Sequence, residues 1–161
     1  MPEFNAREIL EIAVRIEENG ARFYRKAAKY IDESRSEKLL LSLADMEVKH
    51  EETFRSFIQE MEKEADSSDF IDPDGDASRY LGAIADGYVF PVAEDPSEKL
   101  TGTETLSEVI DFAIGLEKDS VIYYLGIREI VSPALGRDKI DRIIAEEMRH
   151  ITLLTDMKRS L

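Results

Sequence analysis

The chain contains no cysteine. Disulfides, thiolate catalysis, zinc ribbons and iron–sulfur clusters are therefore excluded. Histidine is nearly as scarce, with His50 and His150 the only two. Basic residues are outnumbered, 21 Lys and Arg against 35 Asp and Glu, for a net charge of −14. Such a surface repels phosphate backbones and anionic headgroups, so neither nucleic acid nor a membrane is an expected partner. The plainest use of the charge is solubility, and a smaller share is carboxylate available to cations. No run of about 18 apolar residues occurs, so no membrane-spanning helix is expected. The opening Met1-Pro2-Glu3-Phe4-Asn5 lacks a basic stretch followed by an apolar one. No secretory signal is visible there, and a cytoplasmic location is expected.

What is present is helical pattern. The 161 residues suit one domain of ordinary size, and 43% hydrophobic with 35% charged residues suits amphipathic helices with wet outer faces. A first helix is expected over about 5–31, opened by a capping box of Asn5 and Glu8, with Ile9, Ile12, Ala13, Ile16, Gly20, Phe23, Tyr24 and Ala27 at a 3.6-residue period. Ser34 and Glu37 predict the next cap and a helix over about 35–65, whose stripe carries Leu40, Leu43, Phe54 and Phe57. Residues 66–104 change character: Asp72-Pro73-Asp74-Gly75-Asp76 is turn chemistry, and Ala77 to Val89 reads as one short helix with Tyr80, Leu81, Ile84 and Tyr88 on a side. Thr105 and Glu108 cap a helix over about 105–131, and Ser132-Pro133 suits the start of the last, over about 133–159.

The expected architecture is all-α, an antiparallel four-helix bundle formed by one domain. A connection as long as 66–104 is uncommon unless topology needs it. A helix of about 28 residues is about 42 Å long, and a segment returning over that length lets the third long helix run parallel to the second.

The two histidines each stand three residues after a glutamate, in Glu47-Val48-Lys49-His50 and in Glu147-Met148-Arg149-His150. Positions i and i+3 share one helix face, so each pair can reach one point in space. Both pairs occupy stripe positions where Leu or Ile would be expected. Glu17 precedes Glu47 by the same thirty residues that separate Glu117 from Glu147. The second half echoes the first at an offset of one hundred: Ala13 and Ala113, Glu17 and Glu117, Tyr24 and Tyr124, Leu43 and Ile143, Glu47 and Glu147, His50 and His150. Two helical hairpins of one design would pack about a pseudo-twofold axis, each giving the same three ligands to a dinuclear metal site in the bundle core.

A lone Glu-x-x-His arises by accident on surface helices, and a lone stripe-edge glutamate is usually a solvated flank. The matched set differs, because burying four carboxylates without counter-charge costs several kcal/mol for each ion. Metal ions remove that cost; the competing reading is a wet surface cluster or a proton-sharing polar core. Oxygen-rich ligation with two imidazoles favours iron or manganese over zinc. Glu18 and Glu146 are rotated about 100° from the ligand positions and read as flank charges, as do Glu51 and Glu52. Tyr24 and Tyr124 lie seven residues after Glu17 and Glu117, on the same face. They would hydrogen-bond a ligand carboxylate of the facing helix or simply fill the core.

The segments Ile16-Glu17-Glu18-Asn19-Gly20-Ala21-Arg22-Phe23-Tyr24, Met46-Glu47-Val48-Lys49-His50-Glu51-Glu52, Leu116-Glu117 through Tyr124, and Ala145-Glu146-Glu147-Met148-Arg149-His150 resemble the rubrerythrin branch of the ferritin-like superfamily. The resemblance covers all four long helices. It implies a ferritin-like bundle and a centre of two iron ions, with manganese or a mixed pair as alternatives. In it Glu47 and Glu147 bridge the metals, and Glu17, Glu117, His50 and His150 complete the shells. It further implies reduction of hydrogen peroxide or dioxygen, a role in oxidative stress, and a homodimer. Two departures stand out. Rubrerythrins append a four-cysteine rubredoxin domain; without cysteine, electrons are expected from a separate donor protein such as a rubredoxin. Rubrerythrins also carry a further glutamate one turn after the third-helix ligand, where this chain has Ser120. The alternatives are an iron-handling ferroxidase or storage protein, a metal-stabilised scaffold without turnover, and a hydrocarbon-oxidising enzyme, which needs a substrate pocket beside the site.

Overall fold

The computed structural model describes residues 6–63 and 71–161. Among them are five α-helices: α1 (Ala6–Lys29), α2 (Ser34–Lys63), the short α3 (Asp76–Ala85), α4 (Leu106–Ile130) and α5 (Arg137–Arg159), with a 3-10 turn at Pro96–Lys99. No described helix is long and apolar enough to cross a membrane.

Helices α1 and α2 form one hairpin and α4 and α5 the other, and α1–α4 and α2–α5 contacts join them. Cross-links fix the directions. Arg7 pairs with Glu62, and Lys158 with Asp111, so each hairpin is antiparallel. The Tyr123 hydroxyl donates to the Ile9 carbonyl at 3.0 Å, setting the end of α4 against the start of α1. The crossover leaves the far end of α2, where the Ile71 amide donates to the Ile130 carbonyl at 2.8 Å. It returns to the other end, where Gly102 lies against Tyr30. Helix α4 therefore runs parallel to α2, as the length of the crossover requires.

On every long helix the apolar stripe is interrupted at one level. One core cluster takes Ile9 to Val14, Phe54 and Phe57, Tyr123 to Ile130, and Ile140 to Ile144, with Leu81 and Ile84 of α3. The other takes Phe23 to Ala28, Leu40 to Ala44, Val109 to Ala113, and Leu154. Between them lie buried Glu17, Glu47, His50, Glu117, Glu147 and His150. The bundle is thus two hydrocarbon layers around a polar one.

The helix starts are partly as expected. The Thr105 box is complete: the Glu108 amide donates to Thr105 Oγ1 at 3.2 Å and the Thr105 amide to Glu108 Oε2 at 2.8 Å. The Asn5 cap lies outside the described residues. At α2 the cap is Glu33 and not Ser34, since its carboxylate accepts from the amides of Arg35 and Ser36 at 2.8 and 2.7 Å. A longer side chain one residue earlier reaches the same free N–H groups. At the last helix, Ser132 does accept from the Leu135 amide at 3.1 Å, but it caps a single turn. Gly136, at φ 104°, then breaks the chain direction, and α5 begins at Arg137, four residues later than expected. Helix α3 ends at Ala85, short of Val89, and Tyr88 is exposed instead of joining Leu81 and Ile84.

Candidate metal centre

The polar layer gathers all six residues expected from the spacing. The Nδ1 of His50 lies 2.9 Å from Glu147 Oε1 and 3.5 Å from Glu17 Oε2. The Nδ1 of His150 lies 3.0 Å from Glu147 Oε2, 3.2 Å from Glu47 Oε1 and 3.4 Å from Glu117 Oε1. The two imidazoles stack with centroids 5.7 Å apart. Two four-residue groups, Glu17–Glu47–His50–Glu147 and Glu47–Glu117–Glu147–His150, each bring one atom per residue within 4.8 Å of the others. Glu47 and Glu147 belong to both. Two cation positions sharing two carboxylates is what the donor arrangement accommodates.

The contacts are close without being hydrogen bonds. Glu17 Oε2, Glu47 Oε1, Glu117 Oε2, both oxygens of Glu147, Nδ1 of His50 and both ring nitrogens of His150 are buried with no aligned partner. Orphaned polar atoms at this density are costly, and a cation that they jointly ligate removes the cost. Electrostatics agree. Burial, then the charges of Glu47 and Glu147, push the carboxyls of Glu17 and Glu117 well above the usual range. Glu47 is raised by burial and by Glu147. Glu147 is held low in spite of its burial by His150 and His50. Burial alone would push both histidines down, yet Glu147 and Glu17 raise His50 to about 12, and Glu117, Glu147 and Glu47 raise His150 to about 12. The protein without cations therefore holds protons where a dinuclear centre would place charge.

The tyrosines connect the halves. Tyr24 of α1 donates to Glu117 Oε1 of α4, and Tyr124 of α4 donates to Glu17 Oε1 of α1 at 2.5 Å. Both rings are buried, so each fills the core and also fixes the carboxylate it touches.

Two contributors were not singled out by spacing. Glu146, expected on the flank, reaches across to α2 and accepts from Nε2 of His50 at 2.7 Å. Its counterpart at an offset of one hundred is Met46, and Nε2 of His150 has no partner. A carboxylate at 146 where the matching position holds Met46 was the available signal. Gly20 is the second. A Cβ there would stand 2.8 Å from Glu47 Oε2, so the glycine makes room for a shared ligand. The other expected flank charges behave as such: Arg55 bridges Glu18 and Glu51 on the outer face.

The sequence matches the rubrerythrin family over residues 8–158. The chain belongs to the rubrerythrin family. A crystal structure described as that of a ferritin-like diiron-carboxylate protein from Thermotoga maritima resembles this chain at 28% identity and a TM-score of 0.67. The likeness covers 98% of this chain and 96% of that one. No curated sequence matches closely enough to count as a relative. The chain is thus a ferritin-like helical bundle of the rubrerythrin family whose buried carboxylate and histidine cluster is able to bind metal.

Proposed function

We propose that the chain is an oxidoreductase that reduces hydrogen peroxide or dioxygen at a pair of iron ions, with electrons from a separate donor protein. The observation that carries this reading is the sharing of Glu47 and Glu147 between two donor groups, inside a layer sealed by hydrocarbon on both sides. Glu17, His50 and the shared pair would hold one ion, and Glu117, His150 and the shared pair the other. When bound, the ions supply two electrons at adjacent positions and Lewis acidity toward an O–O bond.

The protein's own groups do the rest. Tyr24 and Tyr124 keep Glu117 and Glu17 in a fixed orientation as local charge changes. Glu146 holds the His50 ring by its Nε2–H, leaving Nδ1 for the centre. The apolar layers above and below the site lower the local dielectric and strengthen its charge interactions. Ser120, at the position of the additional family glutamate, turns its hydroxyl to the Leu116 carbonyl at 3.1 Å and leaves that side of the site open. With no cysteine in the 161 residues, a rubredoxin-type iron has no ligands here.

The test is an anaerobic titration of the iron-loaded, reduced protein with hydrogen peroxide. Oxidation should end near two iron ions per peroxide. A reduced centre whose spectrum peroxide leaves unchanged would exclude the reading.

A further inference from the structure

A cavity of about 310 Å³ lies against one side of the centre, between α1, α4 and the returning crossover. Its inner end is formed by Glu47, Glu117 and Tyr24, and its walls include Phe90, Val92, Phe112 and Leu116. The crossover is its roof. Asn19, buried on α1, donates to the Glu94 carbonyl at 3.1 Å, and Lys26 donates to the Ser97 carbonyl at 2.8 Å, which pins the roof to the bundle.

Hydrogen peroxide does not need this space. A water occupies about 30 Å³, so the cavity has room for roughly ten groups of that size, and it reaches the lower end of the range for small-molecule sites. The small residues along α4 keep it open. Gly115 lines it, lies in the middle of the helix, and has nothing within 4 Å of where a Cβ would stand. Neither a turn nor a close approach explains that glycine, although in mid-helix it is less stable than alanine. Ser120 lines the same wall. Two oxygens without partners, Glu117 Oε2 and Glu47 Oε1, belong to residues at its inner end.

The charge of the walls narrows the occupant. In the outer part Glu94 is paired with Lys99 at 3.0 Å and Asp111 with Lys158, which leaves the carboxylate of Asp119 there and those of Glu47 and Glu117 at the inner end. A carboxylate or phosphate head would be repelled there. A neutral molecule with an apolar body and a polar end is not.

We propose that this cavity binds a neutral organic hydroperoxide, with the hydrocarbon body against Phe90, Val92 and Phe112 and the O–O end toward Glu47, Glu117 and Tyr24. The assignment rests on the peroxide-reducing reading above. The net conversion balances as ROOH plus two electrons and two protons giving ROH and water. The O–O bond breaks, and the electrons come from the same donor protein that supports peroxide reduction.

Three probes test it on the iron-loaded protein. The first is 2-phenylpropan-2-ol, the unreactive product of cumene hydroperoxide, titrated calorimetrically. A dissociation constant of about a millimolar or tighter is expected for a ligand of this size, with octanoate at least about tenfold weaker because of the acidic walls. Gly115→Ala, Gly115→Leu and Gly115→Phe fill the space in graded steps, and the alanine variant removes only the helix penalty. Alcohol affinity should fall along the series, by tenfold or more at phenylalanine. The rate of cumene hydroperoxide reduction should fall by a similar factor relative to that of hydrogen peroxide. No alcohol binding, or binding that survives Gly115→Phe in a protein still carrying two metal ions, overturns the assignment and leaves the peroxide reading standing. A reduced centre that ignores hydrogen peroxide overturns that reading and the hydroperoxide assignment with it.

Discussion

The two hairpins supply the same ligands and different surroundings. At an offset of one hundred, Glu17, Glu47, His50 and Tyr24 of the first are matched by Glu117, Glu147, His150 and Tyr124 of the second. Around them the match fails. Glu146 accepts from His50, whereas its counterpart Met46 offers no carboxylate and His150 Nε2 is buried without a partner. Gly20 makes room for Glu47, whereas its counterpart Ser120 turns a hydroxyl to the Leu116 carbonyl, and both line the cavity. A symmetric ligand set in an asymmetric setting would give two bound cations unequal affinity, with the cavity on the side of Tyr24 and Glu117.

The largest effect should follow loss of a residue that both positions share. Glu47→Ala or Glu147→Ala should lower bound metal from two ions per chain to less than one, whereas His50→Ala or His150→Ala should leave about one. Elemental analysis after anaerobic iron loading reads this directly. If the shared and unshared residues behaved alike, the two positions would not have Glu47 and Glu147 in common.

Removing the metal comes next. At a free concentration about a thousand times its dissociation constant, each ion adds about 4 kcal/mol, roughly 8–16 °C in melting temperature for a domain of this size. The metal-free protein should also respond to pH in a defined direction. Glu17 and Glu117 are raised above their ordinary range, chiefly by burial, so the folded state holds protons that the unfolded chain releases above about pH 4.5. His50 and His150, raised to about 12, stabilise fully below the ordinary histidine value of about 6.5 and lose that contribution as pH rises toward 12. Both effects have one sign. Urea midpoints of the metal-free protein should fall from pH 6 to pH 9, and metal affinity should rise over the same interval as protons leave the ligands. Rising metal-free stability across that window would mean that the site is wet.

A smaller effect should separate the two halves. Glu146→Gln weakens the acceptor behind His50 and should lower the affinity of that position by about 10–100-fold, leaving the other unchanged. Met46→Glu should tighten the His150 position and bring the two binding steps together. Stepwise Fe(II) titration by calorimetry distinguishes these outcomes. Equal weakening of both steps by Glu146→Gln would dissolve the asymmetry.

The parts of this site that could be read from the sequence are those decided within one helix. The i, i+3 spacing of Glu47 and His50 depends only on helical geometry, and so do the Thr105 cap and the apolar periods on either side of each ligand. Parts that depend on a neighbour could not be read in that way. Glu146 looked peripheral because a rotation of about 100° places it off the ligand face of its own helix, yet that direction faces His50 of α2. Ser132 looked like a helix cap because its chemistry satisfies one turn equally well, and only the positive φ of Gly136 separates that turn from α5. The cavity was out of reach altogether, since its roof is a crossover whose path Asn19 and Lys26 fix through backbone carbonyls.

The finest test of the pseudo-twofold relation lies in the tyrosines. Each spans the two hairpins, and each donates to a carboxylate of the other half, Tyr24 to Glu117 and Tyr124 to Glu17. A hydrogen bond to a charged group is worth about 1.5–3 kcal/mol. Part of that is recovered when phenylalanine replaces tyrosine in the metal-loaded protein, because the freed carboxylate oxygen can turn toward the cation. Tyr24→Phe and Tyr124→Phe should therefore each cost about 1 kcal/mol in urea unfolding, a factor of about five in the folding equilibrium. The two losses should be equal if the halves are equivalent at this level. The setting predicts otherwise in one respect: Tyr24 lines the cavity and Tyr124 does not. Water can reach the oxygen exposed by Tyr24→Phe, so that variant should lose less stability than Tyr124→Phe. A larger loss for Tyr24→Phe would show that the cavity does not admit water to Glu117.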